Sequence, residues 1–199
     1  MNEVIQREPS TDVVITTVAG QVAPTHYSAS PEYNEMVLSL LRQSARSGNA
    51  DSMAKLGAMY ACGDGVPKNY SVAFALLRRA AESPDPIVAG SALTSLAEFR
   101  KAAGDAASAA ALLRRALEKA DAVEKDGPTV ALILNLLAQV APQKEAIAML
   151  QRALSIDERK LGRENAQTLQ DVRRLAILLR AGGQAAEAAK LERQFRISH

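Results

Sequence analysis

Apolar residues recur at intervals of three and four along most of this chain, the spacing that places them on one face of an α-helix. Met53, Leu56 and Tyr60 show it, as do Leu93, Leu96 and Phe99, and Leu175, Leu178 and Leu179. A second set of stretches shares its lettering as well as its period. These are LLRQSA from Leu40, LLRRAA from Leu76, LLRRAL from Leu112, MLQRAL from Met149 and KLERQF from Lys190. Their second residues, Leu41, Leu77, Leu113, Leu150 and Leu191, are separated by 36, 36, 37 and 41 residues. From the second onward, each follows, by about twenty residues, one of the stretches SMAKLGAMYA, ALTSLAEFRKA, TVALILNLLAQV and TLQDVRRLAILL. The pattern predicts a tandem array of helix pairs, a first helix A and a second helix B. One pair cannot cover its own apolar stripe, whereas stacked pairs build a continuous core. The fold class expected is all-α.

Punctuation fits this division. Asn69 stands where the first helix B needs an N-cap. Pro84, Pro86, Pro128 and Pro142 fall where helices should start or stop. Gly104, Gly127, Gly162 and the Gly182-Gly183 pair mark turns or helix ends. Residues 1–31 break the pattern: DVVITTVAGQVAPTHYSASP is β-branched and broken by proline where a helix A should precede the helix at 32–47. That leader is expected to be extended or disordered, either as a tail or folded back into the array's own groove. Residues 32–199 form the repeat domain.

Composition sharpens the picture. The chain has 199 residues, 48% of them apolar, yet aromatics are 4% and tryptophan is absent, so alanine supplies much of the apolar content. Alanine favours helix and lets neighbouring helices approach closely, which disfavours sandwiches and barrels. A net charge of +2 is too small to argue for nucleic acid. Residues 1–35 carry −4 and the remainder +6, a mildly basic body behind an acidic leader. The apolar run at 13–23 is too short to span a bilayer and has Glu3 and Glu8 before it, a poor signal peptide. A cytoplasmic protein is expected, with no membrane association.

The stretch A-x-x-LG-x-MY-x-x-G-x-GV-x-x-x-Y-x-x-A-x-x-x-L-x-x-AA, from Ala54 to Ala81, closely resembles a Sel1-like repeat, a relative of the tetratricopeptide repeat with a longer inter-helix loop. Asn69 stands where that family usually has Asp. The preceding YNEMVLSLLRQSARSGNADSM resembles the second helix of a foregoing unit. Residues 156–197 are similar to the tetratricopeptide repeats of kinesin light chain, through Leu161-Gly162, Thr168-Leu169, Leu175-Ala176 and Glu187-Ala188. Between the small residues of helices A and B, Gly57 to Ala73 is 16 residues, while Ala97 to Ala109 and Ala176 to Ala188 are 12. Ala138 to Ala146 is 8, so the third unit should lack about a helical turn, with Pro142 opening its helix B.

The resemblance implies a right-handed α-α superhelix whose A helices line a concave groove. On that template the ligand-facing positions are Ser91, Thr94, Glu98 and Lys101 in the second unit, Asn135 and Gln139 in the third, and Gln170, Arg173 and Arg180 in the fourth. The first unit would add Asp51, Ala54, Ala58 and Ala61, a mostly smooth end. Amide and hydroxyl groups can satisfy the backbone of an extended peptide, and Arg173 and Arg180 can fork onto carboxylates.

Other candidates carry less chemistry. Gly63-Asp64-Gly65 is followed by Val-Pro-Lys-Asn and flanked by helical patterns, so it lacks the strand and Lys-Ser/Thr of a phosphate loop. Glycine turn geometry explains it. Cys62 has no His partner near it, the two histidines being His26 in the leader and His199 at the last position. A structural thiol is expected, with no metal or cofactor. Arg78-Arg79, Arg114-Arg115, Arg152 and Arg193 lie on B helices and are expected to form a solvated face. The function expected is binding of another protein or an extended peptide, as an adaptor and not an enzyme. Alternatives are a chaperone-like or neutralising partner of one protein, and a self-associating array joined through ends that carry Phe195 and Ile197.

Overall fold

Local capping decides where the helices begin. The structure, a computed structural model, describes residues 31–197, with the side chains of 31–34 excluded. The leader, His26 and His199 therefore lie outside the described residues. The helices in that range are α1 (Pro31–Arg46), α2 (Ala50–Cys62), α3 (Tyr70–Ala80), α4 (Pro86–Ala102) and α5 (Ala106–Val123), then α6 (Pro128–Ala138), α7 (Gln143–Leu161), α8 (Ala166–Ala181) and α9 (Ala185–Gln194). No strand occurs among the described residues. A helix leaves its first N–H groups without partners, and polar side chains meet that need. Asn49 Oδ1 accepts from the Ser52 N–H at 2.8 Å, Asn69 Oδ1 from Val72 at 3.1 Å, Asp85 Oδ1 from Ile87 at 2.8 Å and Asp105 Oδ1 from Ser108 at 3.0 Å. Pro86 and Pro128 occupy first helical positions.

The pairs expected from the pattern are α2/α3, α4/α5, α6/α7 and α8/α9, with α1 as a B-type helix ahead of them. Gly63 closes α2 at φ 79°, its N–H donating to the Met59 carbonyl at 2.8 Å. The Gly63-Asp64-Gly65 stretch is thus a turn, as the glycines predict. In the third unit α6 has 11 residues against 17 in α4 and 16 in α8, and Pro142 immediately precedes α7. The lost turn therefore comes out of helix A.

Small residues set the spacing within a pair. A Cβ on Gly57 would lie 2.8 Å from Leu77 Cγ and 3.3 Å from the Ala73 carbonyl oxygen, so α2 and α3 cross in near backbone contact. Ala73, Ala97, Ala109, Ala176 and Ala188 are all buried. The chain is a helical solenoid with a core in two parts. A first cluster runs from Leu38 through Leu77, Leu93, Leu113 and Ile133 to Ala153 and Ile156. The second takes Leu150 and Leu154 from the other side of α7 and joins them to Val172, Leu175, Leu179, Ala188 and Phe195. The carboxy-terminal end differs from the open apolar end expected. Phe195 is 8% exposed, with the Arg163 guanidinium 4.7 Å from its ring centre, and Ile197 packs against the second cluster.

Candidate protein-binding face

Two sets of contacts between units define two faces. On the B side, exposed ion pairs link successive helices. Arg115 of α5 lies 3.8 Å from Glu82, Arg114 lies 3.3 Å from Glu145 of α7, and Arg152 of α7 reaches Asp121 at 2.8 Å and Asp126 at 2.9 Å. Lys160 meets Glu124 at 2.7 Å. The B-helix arginines are thus more than solvation: Arg114, Arg115 and Arg152 bridge neighbouring units. Arg78 and Arg79 are exposed.

The A side joins α4, α6 and α8. Lys101 Nζ of α4 donates to Gln139 Oε1 just past α6 at 2.9 Å, and Gln139 Nε2 returns to the Asn135 carbonyl at 3.3 Å. Glu98, one turn before Lys101, is exposed overall, and its carboxyl is raised, chiefly through partial desolvation, with Lys101 pulling the other way. Three of the expected residues, Glu98, Lys101 and Gln139, are therefore brought to one patch.

The others divide. Gln170 and Arg173 are exposed on α8, and neither side chain makes a hydrogen bond or ion pair with a described residue. Ser91 is set apart, in a cleft of about 190 Å³ that it lines with Ile87, Gly90, Val123, Gly127 and Ile133. Thr94 is buried and its hydroxyl donates to the Gly90 carbonyl of its own helix at 2.9 Å, the common fate of a mid-helix threonine. Arg180 does fork onto a carboxylate, but an internal one: both its terminal nitrogens bond Glu192 of α9, at 2.8 Å for Nη1 to Oε1. Of the first unit's positions, Asp51 pairs with Lys55 at 2.7 Å, and Ala54, Ala58 and Ala61 are half-buried.

Asn135 is the most informative departure. It is 2% exposed, and its amide donates to Asp171 Oδ2 at 3.2 Å while its Oδ1 accepts from Arg174 Nη1 at 3.4 Å. Asp171 Oδ1 accepts from Gln167 Nε2 at 3.1 Å. Facing it is Asp157 of α7, so two carboxyls, 0% and 3% exposed, lie against each other between the third and fourth units. Burial first, then the Asp171 charge, push Asp157 up to about 7. Asp171 is raised too, by burial, against the pull of Asn135, Asp157, Arg174 and Gln167. A carboxylate falling on an apolar stripe is the sequence signal for this pair. Asp157 continues Leu150 and Ala153, and Asp171 sits between Thr168 and Leu175.

Ile177, 63% exposed on the same face of α8 as Arg173, was also missed, because it lies within an unbroken apolar run. Cys62 ends α2 half-buried, its thiol raised by burial, Asp64 and Glu98 against the opposing effect of Lys68. That is the inert setting expected of it. Among the described residues, no helix is long and apolar enough to cross a membrane.

Comparison with known proteins supports the architecture. The Sel1 repeat family matches residues 50–85, the α2/α3 unit with its flanks. Among solved structures, the chain is similar to nearly identical TPR-like repeats of a protein from Podosopora anserina named as a kinesin light chain. The two share 22% identity, 83% of each chain is covered, and the TM-score is 0.59. No curated protein matches the chain.

Proposed function

We propose that this chain binds another protein, through an extended acidic or amphipathic segment, along the face formed by α4, α6 and α8. A Sel1 unit within a TPR-like solenoid is generally a protein-interaction scaffold, and the stacked pairs leave one side of each A helix uncovered. The observation that carries the assignment is the outward face of α8. Gln170, Arg173 and Ile177 stand there exposed, one turn apart, and Arg173 has no internal carboxylate. A guanidinium and an amide beside an apolar side chain suit a peptide that offers a carboxylate and an aliphatic anchor. Lys101 and Gln139, hydrogen-bonded to each other, extend the polar surface onto α4 and α6. Thr94, Asn135 and Arg180 act from within, holding the helices that present the face.

Display of random linear peptides against the full chain tests this. Selected sequences should be enriched in Asp or Glu near an aliphatic residue, and Arg173→Glu should reduce their binding at least tenfold with helicity unchanged. Selection of no peptide, or equal binding by Arg173→Glu, would remove the assignment.

A further inference from the structure

We infer that the Asp157–Asp171 pair is a proton-operated latch between the third and fourth helix pairs, holding α8 and α9 docked when the two carboxyls share a proton and loosening them when that proton leaves.

Three features of the geometry converge on this pair. It lies where the core divides: Ala153 and Ile156 of α7 belong to the first cluster, while Leu150 and Leu154 belong to the second, with Val172 and Leu175 of α8. Buried polar groups of α6, α7 and α8 converge on it. Asn135 of α6 and Gln167 of α8 donate to Asp171, and Asp157 of α7 meets Asp171 directly. The charged groups acting on it are few. On α8 the Arg174 guanidinium, held by Asn135, favours one negative charge on the pair. On α9 the Glu192 carboxylate is engaged by Arg180, nine residues along α8 from Asp171. One cation can balance one carboxylate, and a second buried anion against it has no such partner.

The sign follows from the direction of the Asp157 shift. Its acidity is weaker docked than in the open or unfolded chain, so the docked state binds the extra proton. The docking contribution is fully present below the ordinary aspartate range, near 3.8, and is lost as pH rises through about 7. The consequence is a local opening of the last pair, distinct from global unfolding, because the first cluster does not depend on the carboxyls.

Amide hydrogen exchange on the full chain, corrected to protection factors, tests the latch. Between about pH 5.5 and about pH 8 the α8 and α9 amides should lose protection by more than tenfold, while those of α4 hold theirs. Asp157→Asn keeps a donor toward Asp171 and removes the second acid, leaving the one carboxylate that Arg174, Asn135 and Gln167 favour. In that variant α8 and α9 should stay as protected near pH 8 as the parent is near pH 5.5. An identical pH slope in parent and variant, or a loss spread equally over α4, would overturn the latch. Should the variant fail to fold, infrared spectra of the parent decide: one buried protonated carboxyl band must disappear over the same interval, and its absence at the lower pH would equally refute the proposal.

Discussion

Gly57→Ala and Gly90→Ala are the same chemical change in two A helices, and the structure requires opposite signs. Removing glycine from a helix interior stabilises by up to about 1 kcal/mol, because alanine has less backbone freedom to lose. At Gly90 nothing opposes that gain. The added methyl would lie 3.6 Å from Lys119 Cβ and 3.8 Å from the Ala116 carbonyl oxygen, ordinary van der Waals separations. At Gly57 it would lie 2.8 Å from Leu77 Cγ, 3.2 Å from Leu77 Cδ2 and 3.3 Å from the Ala73 carbonyl oxygen. Leu77 is 1% exposed and cannot swing aside, and the Ala73 oxygen belongs to the α3 backbone. Overpacking of that kind costs about 1–3 kcal/mol, so Gly57→Ala should lose about 1–2 kcal/mol net once the propensity gain is included. The two variants should differ by about 2 kcal/mol, a gap of roughly 1 M in urea midpoint for a slope near 2 kcal/mol/M. Urea titration followed by circular dichroism at the helix band measures it. Equal stability of the two variants, or Gly57→Ala more stable than the parent, would show that α2 and α3 do not cross at Gly57.

Asn69→Ala should destabilise the α3 end by about 1 kcal/mol, and Asn69→Asp should leave it nearly unchanged, since either oxygen accepts from the Val72 N–H; urea midpoints of both variants check this. Arg152→Ala loosens the α5–α7 junction by removing its contacts to Asp121 and Asp126. Because these groups are part-exposed, its effect on thermal midpoint should be small and should shrink further in molar salt. Cys62 should react with a thiol-specific alkylating reagent several-fold more slowly than a free cysteine near pH 8, since burial and the nearby Asp64 and Glu98 all hold the thiol protonated. A rate above that of the free amino acid would contradict the environment described.

Helix pairing was legible because it depends on short-range chemistry. Periodicity, Asn and Asp caps, Pro86 and Pro128 at first turns, and Gly63 at a left-handed end act within a few residues of themselves. The shortened third unit could be read from the same marks. The face proposed for binding was legible in register but not in commitment. A template position says which way a side chain starts from the helix, not what it meets. Arg173 and Arg180 look alike in sequence and both are exposed, yet Glu192 of α9 engages only the second. Thr94 is taken by a carbonyl one turn back, and Asn135 by an aspartate 36 residues on. Ile177 stayed hidden for the opposite reason: in Leu-Ala-Ile-Leu-Leu every residue fits an apolar stripe, and packing alone selects the one that faces outward.

The division of the core gives the last pair a different standing from the rest. In a repeat array each unit is stabilised by its own fold and by its interfaces with neighbours. Here the interface between the third and fourth pairs is the one interrupted by buried carboxyls, while the α3–α4 and α5–α6 junctions lie within one apolar cluster. The solenoid compensates locally. Arg163 covers Phe195, Arg180 clamps Glu192, and Gln143 Nε2 donates to the Leu178 carbonyl at 2.8 Å, tying the start of α7 to the end of α8. These contacts hold α9 to the loop before α8 and to α8 itself more than they hold the pair to α7. Exposed Gln170, Arg173 and Ile177, on which the proposed binding face rests, thus ride on the helix whose docking is least redundant. A partner that spans α6 and α8 would add contacts across that junction, so its binding should raise the protection of α8 and α9 above that of the free chain at any pH.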